Sequence, residues 1–140
     1  MYKYLGIDFG LKRIGLSITD QEKIFAFPLT TIKYDNAFNF FKDLFLKEEI
    51  SKVIIGYPKR LTGVDSDIES SIKIFITKFK KQFPAIEIKR FDERFTSKLA
   101  PKVILSSGLG KKKRSKKSLI DKVSATIILQ DYLTFNKSNL

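Results

Sequence analysis

Hydrophobic positions change their spacing along this chain, and each change marks an element. Over Lys3 to Asp8 and Arg13 to Asp20, apolar residues recur at every second position: Leu5 and Ile7, then Ile14, Leu16 and Ile18. Arg13, Ser17 and Thr19 fall on the other side. That period belongs to a pleated strand, whose side chains alternate between faces. Ile24 to Ile32 is a third apolar run. The links Gly10-Leu11-Lys12 and Gln21-Glu22-Lys23 are short enough for hairpins, and Gly10 brings turn freedom to the first. The pattern predicts a three-stranded antiparallel meander.

Beyond it the period lengthens. Asp35 or Asn36 offers a helix cap, and Phe38, Phe41, Leu44 and Phe45 follow at helical spacing to about Glu48. Lys52 to Tyr57 holds the continuous run Val53-Ile54-Ile55, as in a strand buried on both faces. Pro58 to Asp65 reads as a loop, and Ser66 or Asp67 as the cap of a second helix with the stripe Ile68, Ile72, Phe75, Ile76 and Phe79. Glu87 to Phe91 is a fifth strand. Thr96 to Ser107 is predicted helical, kinked or restarted at Pro101. Gly108 to Lys117 has no apolar stripe, and Ser118 to Phe135 is the last helix, with Ser118 as its cap. Strand-helix-strand units imply parallel pairing with right-handed crossovers. The predicted fold class is therefore α/β, a mixed five-stranded sheet flanked by helices. The phenylalanines of the helical stripes belong to its core. Phe9 and Tyr57, outside those stripes, are the better candidates for stacking a nucleobase.

Composition narrows the function. A chain of 140 residues suits one domain spanning 1–140. No apolar run approaches the roughly 20 residues that cross a bilayer, and the N-terminus lacks the pattern of a secretory signal, so a cytoplasmic protein with no membrane partner is expected. The chain has no Cys and no His. Disulfides, thiolate metal sites, His-ligated zinc and a His general base are thereby excluded. Any metal site must use oxygen ligands, which favours Mg²⁺ or Mn²⁺. The net charge of +12 draws polyanions, nucleic acid first among them.

Three acidic positions fall where chemistry collects. Asp8 ends the first strand, Asp92-Glu93 follows the fifth, and Asp121 opens the last helix. Strand ends and helix starts meet at one rim of such a sheet. Carboxylates converging there repel unless cations lie between them, and two Mg²⁺ ions about 4 Å apart support phosphodiester cleavage. Plainer readings exist for each taken singly. Asp8 suits a turn, Asp121 a helix dipole, and Asp92-Glu93 an ion pair with Arg94.

Four motifs carry a resemblance. They are Gly6-Ile7-Asp8-Phe9-Gly10-Leu11-Lys12-Arg13-Ile14-Gly15-Leu16-Ser17; Gly56-Tyr57-Pro58 with Gly63; Asp92-Glu93-Arg94-Phe95-Thr96-Ser97; and Ile120-Asp121-Lys122-Val123-Ser124-Ala125 with the helix to Leu133. In this order, across nearly the whole chain, they resemble the YqgF/RuvX family. The resemblance implies an RNase H-like domain related to Holliday junction resolvases, with Asp8, Glu93 and Asp121 as catalytic carboxylates holding the metal ions. It also implies a nuclease role in maturing the precursor of the small-subunit ribosomal RNA. Departures are small: Lys59-Arg60-Leu61-Thr62 replaces an apolar and amide run, Ser97 stands for a second Thr, Pro101 interrupts a helix, and Val123-Ser124-Ala125 stands where small residues are usual.

Cations surround these acids. Lys12 and Arg13 are placed to hold a phosphate, and Arg94 to stabilise transition-state charge or to orient Asp92. Thr96 and Ser97 suit a helix cap. Lys111, Lys112, Lys113, Arg114, Lys116 and Lys117 form the densest basic run, read as a flexible loop over 108–117 that clamps a phosphate backbone. The expected partner is nucleic acid, ribosomal RNA precursor before branched DNA, bound by a monomer or weak homodimer. A junction resolvase would use the same chemistry but needs a dimer to cut two strands symmetrically. Asp8-Phe9-Gly10 with Gly15 also resembles the phosphate loop of actin-like kinases, which require two such domains. A non-catalytic nucleic-acid binder is the remaining alternative.

Overall fold

The computed structural model describes residues 2–10, 12–57, 64–92 and 113–138, except the side chains of 64–66, 113–121 and 137–138. Strands β1 (Lys3–Phe9), β2 (Arg13–Thr19) and β3 (Ala26–Lys33) come first. A 3₁₀ turn, Tyr34–Asn36, leads into helix α1 (Ala37–Lys47). Then follow β4 (Ile50–Gly56), α2 (Val64–Gln82), β5 (Glu87–Phe91) and α3 (Lys113–Ser138).

Among the described residues the strands form a single sheet in the order β3-β2-β1-β4-β5. β1–β2 and β2–β3 pair antiparallel, and β1–β4 and β4–β5 parallel, as the hydrophobic pattern predicts. Alternation along β1 and β2 sends Leu5, Ile7, Phe9, Ile14 and Leu16 to one face. There they pack with Phe41 of α1 and with Phe75 and Phe79 of α2. Phe41 lies edge-on to Phe79 at 5.6 Å, an arrangement that brings a positive ring edge to a negative ring face. The predicted stripes of α1 and α2 are thus core. Phe9 belongs there too: it is 8% exposed, with Tyr34 and Phe75 rings 5.8 and 5.4 Å away, and has no face left for a base.

The other face is covered by α3, which packs Ile128, Leu129, Tyr132 and Leu133 against Ile54 and Phe91. Two polar residues of β2 do not reach solvent there. Ser17 and Thr19 are buried, the Ser17 hydroxyl donating to the Ala125 carbonyl at 2.7 Å and Thr19 Oγ1 accepting the Tyr4 amide at 2.9 Å. Buried hydroxyls persist because each has a partner. Gly6 makes the close approach possible. A Cβ at this position would strike the Ser17 hydroxyl and come within 2.8 Å of Leu129 Cβ and 2.9 Å of the Ala125 carbonyl.

Element edges depart from expectation in instructive ways. Asn36 makes no side-chain cap, because the 3₁₀ turn already supplies the Ala37 amide with the Tyr34 carbonyl. α2 begins at Val64, so Ser66 and Asp67 lie within it rather than before it. α3 begins at Lys113, which puts Ser118 in its interior and Lys113, Arg114, Lys116 and Lys117 on helix rather than in the expected loop. Lys and Arg are good helix formers, and extending an anchored helix adds one hydrogen bond per residue, so the absence of an apolar stripe does not end it. Gly10 has no left-handed backbone. Its constraint is space, since a Cβ would lie 2.7 Å from the Arg13 carbonyl. The helix expected over 96–107 lies outside the described residues.

Candidate active site at the carboxyl rim of the sheet

Strand register brings the acidic positions to one edge. Ile7 pairs with Ile55, and Ile55 with Arg90, so the chain ends of β1, β4 and β5 are level. Asp8 is the next residue of β1, and Asp92 follows β5 directly. β4 separates β1 from β5, so these strands lie roughly 10 Å apart at ~4.8 Å per neighbour. Glu93 and Arg94 lie outside the described residues.

The face is set by alternation. Gly6 looks toward α3, and so does Asp8, two positions on; the residue opposite Asp8 on β2 is Gly15, which adds no side chain beside it. Helix α3 runs antiparallel to β1, with Tyr132 near Tyr4 and Ala125 and Leu129 over Gly6. Position 121 is one turn before Ala125, about 6 Å along the helix. Asp8 is about 6.7 Å beyond Gly6 along the strand. The backbone positions of Asp8 and Asp121 are therefore level, on facing elements. Among the described residues no group of three acidic side chains is able to hold a metal ion. Glu93 and the side chain of Asp121 lie outside the described residues. The donors this chain can offer are oxygens only, which fits a hard divalent cation.

Basic residues gather at the same rim. Lys12 is exposed in the β1–β2 turn, which the Gly10 amide closes onto the Arg13 carbonyl at 2.9 Å. The Lys12 carbonyl accepts the Tyr34 amide at 3.0 Å, tying this turn to the end of β3. Arg13 pairs in register with Lys33, an exposed cation that sequence reasoning missed because only pairing brings it to the rim. From Ala125 back to Lys113 is about 18 Å of helix, whereas the strand from Gly6 to Phe9 is only about 10 Å. The basic first turns of α3 thus overhang the rim. Lys111 and Lys112 lie outside the described residues.

A second missed residue is Arg90, which reads as a surface cation beside Glu87 and Lys89 in the sequence. It forms a bidentate pair with Glu69 of α2, at 3.1 and 2.7 Å, and donates to the carbonyls of Ile55 and Gly56 at 3.4 and 3.3 Å. Its guanidinium lies 4.1 Å from the centre of the Tyr57 ring. At the opposite rim Lys52 sits over the Tyr4 ring and donates to the Tyr132 hydroxyl at 3.1 Å. Burial works against the Lys52 charge, but that hydrogen bond and the nearby Tyr132, Tyr4 and Glu87 groups outweigh it, and the ammonium pKa rises.

A sheet in this order, with α1 and α2 packed on one face and α3 across the other, is the RNase H-like fold. The sequence profile described as "RuvX: Holliday junction resolvase" matches residues 2–135, and the chain belongs to this family. A Flavobacterium psychrophilum protein named "Putative pre-16S rRNA nuclease" is 50% identical over 96% of this chain and 98% of its own length. A Flavobacterium johnsoniae protein of the same name is 48% identical, over 96% and 97%. Among solved structures, T. thermophilus RuvC in complex with a Holliday junction substrate superposes with a TM-score of 0.58 at 11% identity, covering 96% of each chain. At that identity the likeness speaks for the fold. No helix among the described residues is long and apolar enough to cross a membrane.

Proposed function

We propose that this protein hydrolyses phosphodiester bonds in the precursor of the small-subunit ribosomal RNA, using Asp8, Glu93 and Asp121 to hold divalent cations. The observation that carries the reading is the level juxtaposition of Asp8 and position 121 across the Gly6–Ala125 contact. Relatives named for pre-16S rRNA cleavage, 48–50% identical over nearly the full length, support the substrate. Glu93 follows β5 by two residues and completes the set in this proposal. A Mg²⁺ or Mn²⁺ pair bound by these carboxylates would activate water and offset charge on the phosphate. Lys12, Arg13, Arg94 and the basic run from Lys111 to Lys117 hold and register the backbone, contacts that carry affinity but no sequence information. One domain suffices for this work, as a monomer or weak pair in the cytoplasm.

The test is cleavage of a labelled precursor fragment with Mg²⁺, Mn²⁺ or EDTA, beside Asp8→Asn, Glu93→Gln and Asp121→Asn. Cutting that requires the cation and is lost in all three variants is the expected result. Cutting that survives in EDTA or in any one variant contradicts the carboxylate set. The family's description favours a second reading, resolution of four-way DNA. A four-way junction in the same assay separates the two, because resolution requires paired symmetric cuts and a dimer.

A further inference from the structure

We propose that Tyr57 is a preformed stacking platform for an unpaired nucleobase next to the scissile phosphate, so that the substrate is single-stranded or splayed where it crosses the rim. This rests on the nuclease reading and adds the form of its substrate. Tyr57 follows β4, and its amide donates to the Phe91 carbonyl at 2.9 Å, which fixes its backbone to the end of β5. By register it stands on the strand next to β1, one residue past the level of Asp8. Its ring lies against Arg90, which pairs with Glu69 of α2, so it stands on the α2 face, whereas Asp8 faces α3, and a chain passing over the rim meets both.

Arg90 supports the ring from beneath. Arginine has five N–H donors, and Arg90 makes four hydrogen bonds, two to Glu69 and two to strand carbonyls. Its charge is matched by Glu69 and its plane is held, with the two side chains only 15% and 14% exposed. It is thereby spent as a phosphate ligand and serves as a rigid base for Tyr57, a positioning residue. Tyr57 itself remains 37% exposed, as an aromatic surface whose ordering cost is met before anything binds. Aromatic rings of this kind stack bases of any sequence. A base inside a duplex is not available to it.

The experiment uses full-length protein and a short ribo-oligonucleotide carrying one 2-aminopurine, whose fluorescence falls on stacking. It is run single-stranded and as a blunt duplex, without added divalent cation. Wild-type protein and Tyr57→Phe should quench the single strand and leave the duplex signal, already low from stacking between base pairs, unchanged. Tyr57→Ala and Tyr57→Leu should bind it on the order of ten- to a hundred-fold more weakly and without quenching. Arg90→Lys should retain binding with reduced quenching, because an ammonium does not present the planar support. Thermal melts confirm folding, and Tyr57→Leu keeps the bulk should Tyr57→Ala fail to fold. Quenching that persists without Tyr57, equal quenching of duplex, or no quenching by wild-type protein overturns the platform. Tyr57-dependent quenching by a protein that cleaves nothing with any cation would support the platform while removing the nuclease reading.

Discussion

The two faces of the sheet are built on different principles. Toward α1 and α2 the strands present Leu5, Ile7, Phe9, Ile14 and Leu16, and the helices answer with Phe41, Phe75 and Phe79. Large rings fill the space between layers, and stability scales with the area they bury. Toward α3 the same strands present Gly6, Asp8, Gly15, Ser17 and Thr19, met over Gly6 by Ala125. Little volume separates the layers there, so the helix lies close to the sheet and its axial position is fixed by backbone contact. One face supplies stability and the other supplies placement. A substitution should therefore reveal its face by whether it costs stability or activity.

The largest stability effect is expected from Phe41→Ala, at about 3–5 kcal/mol for a fully buried phenylalanine. Urea titration measures it, and cleavage per folded molecule should stay near wild type. Glu69→Gln should cost less, about 1.5–3 kcal/mol, because it weakens charge-assisted bonds that hold α2 to the ends of β4 and β5. Gly6→Val should cost about 1–3 kcal/mol by overpacking, yet reduce cleavage far more than Phe41→Ala does, because it lifts α3 and moves position 121 away from Asp8. Equal activity in Gly6→Val and Phe41→Ala would erase the contrast between faces.

The smallest effect concerns the β2–β3 turn, away from both layers. There Asp20 Oδ1 accepts the Phe25 amide at 3.0 Å and the Ile24 amide at 2.8 Å, and Lys23 takes a left-handed backbone with φ 59°. The Phe25 hydrogen bond above all holds the carboxyl below its ordinary value of 3.8. A depressed folded pKa means that the stabilisation is complete above the ordinary carboxylate value and disappears as pH falls through the lower one. Amide shifts of Ile24 and Phe25 should therefore move on acidification below about pH 4 and should be insensitive to that step in Asp20→Asn.

Most of the strand order was legible because alternation and short links leave few topologies. Register was legible only after pairing, which is why Lys33 and Arg90 escaped notice: neither carries a local signal, and each acquires its place from a neighbouring strand. Asp8 stood out as a strand-terminal acid, and Asp121 as a first-turn residue of the last helix; β1 runs one residue further, to Phe9, and the helix begins at Lys113, which puts position 121 about two turns inside it. Their equal height depends on Gly6 and Ala125, 119 positions apart in sequence. Helix starts were misjudged where other physics replaced the side-chain cap, a 3₁₀ turn before Ala37 and helix extension back to Lys113. Phe9 was misread as a stacking candidate because its strand alternation points it into the phenylalanine core.

In the proposed function, Asp8 and Asp121 share a divalent cation across the α3 face. Mn²⁺ binding followed by electron paramagnetic resonance tests it most directly, with wild type, Asp8→Asn, Asp121→Asn and the double variant. Mn²⁺ should bind wild type, bind each single variant more weakly, and lose less in the double variant than the sum of the two separate losses, as befits two ligands of one ion. Mn²⁺ bound as tightly by Asp121→Asn as by wild type would contradict it.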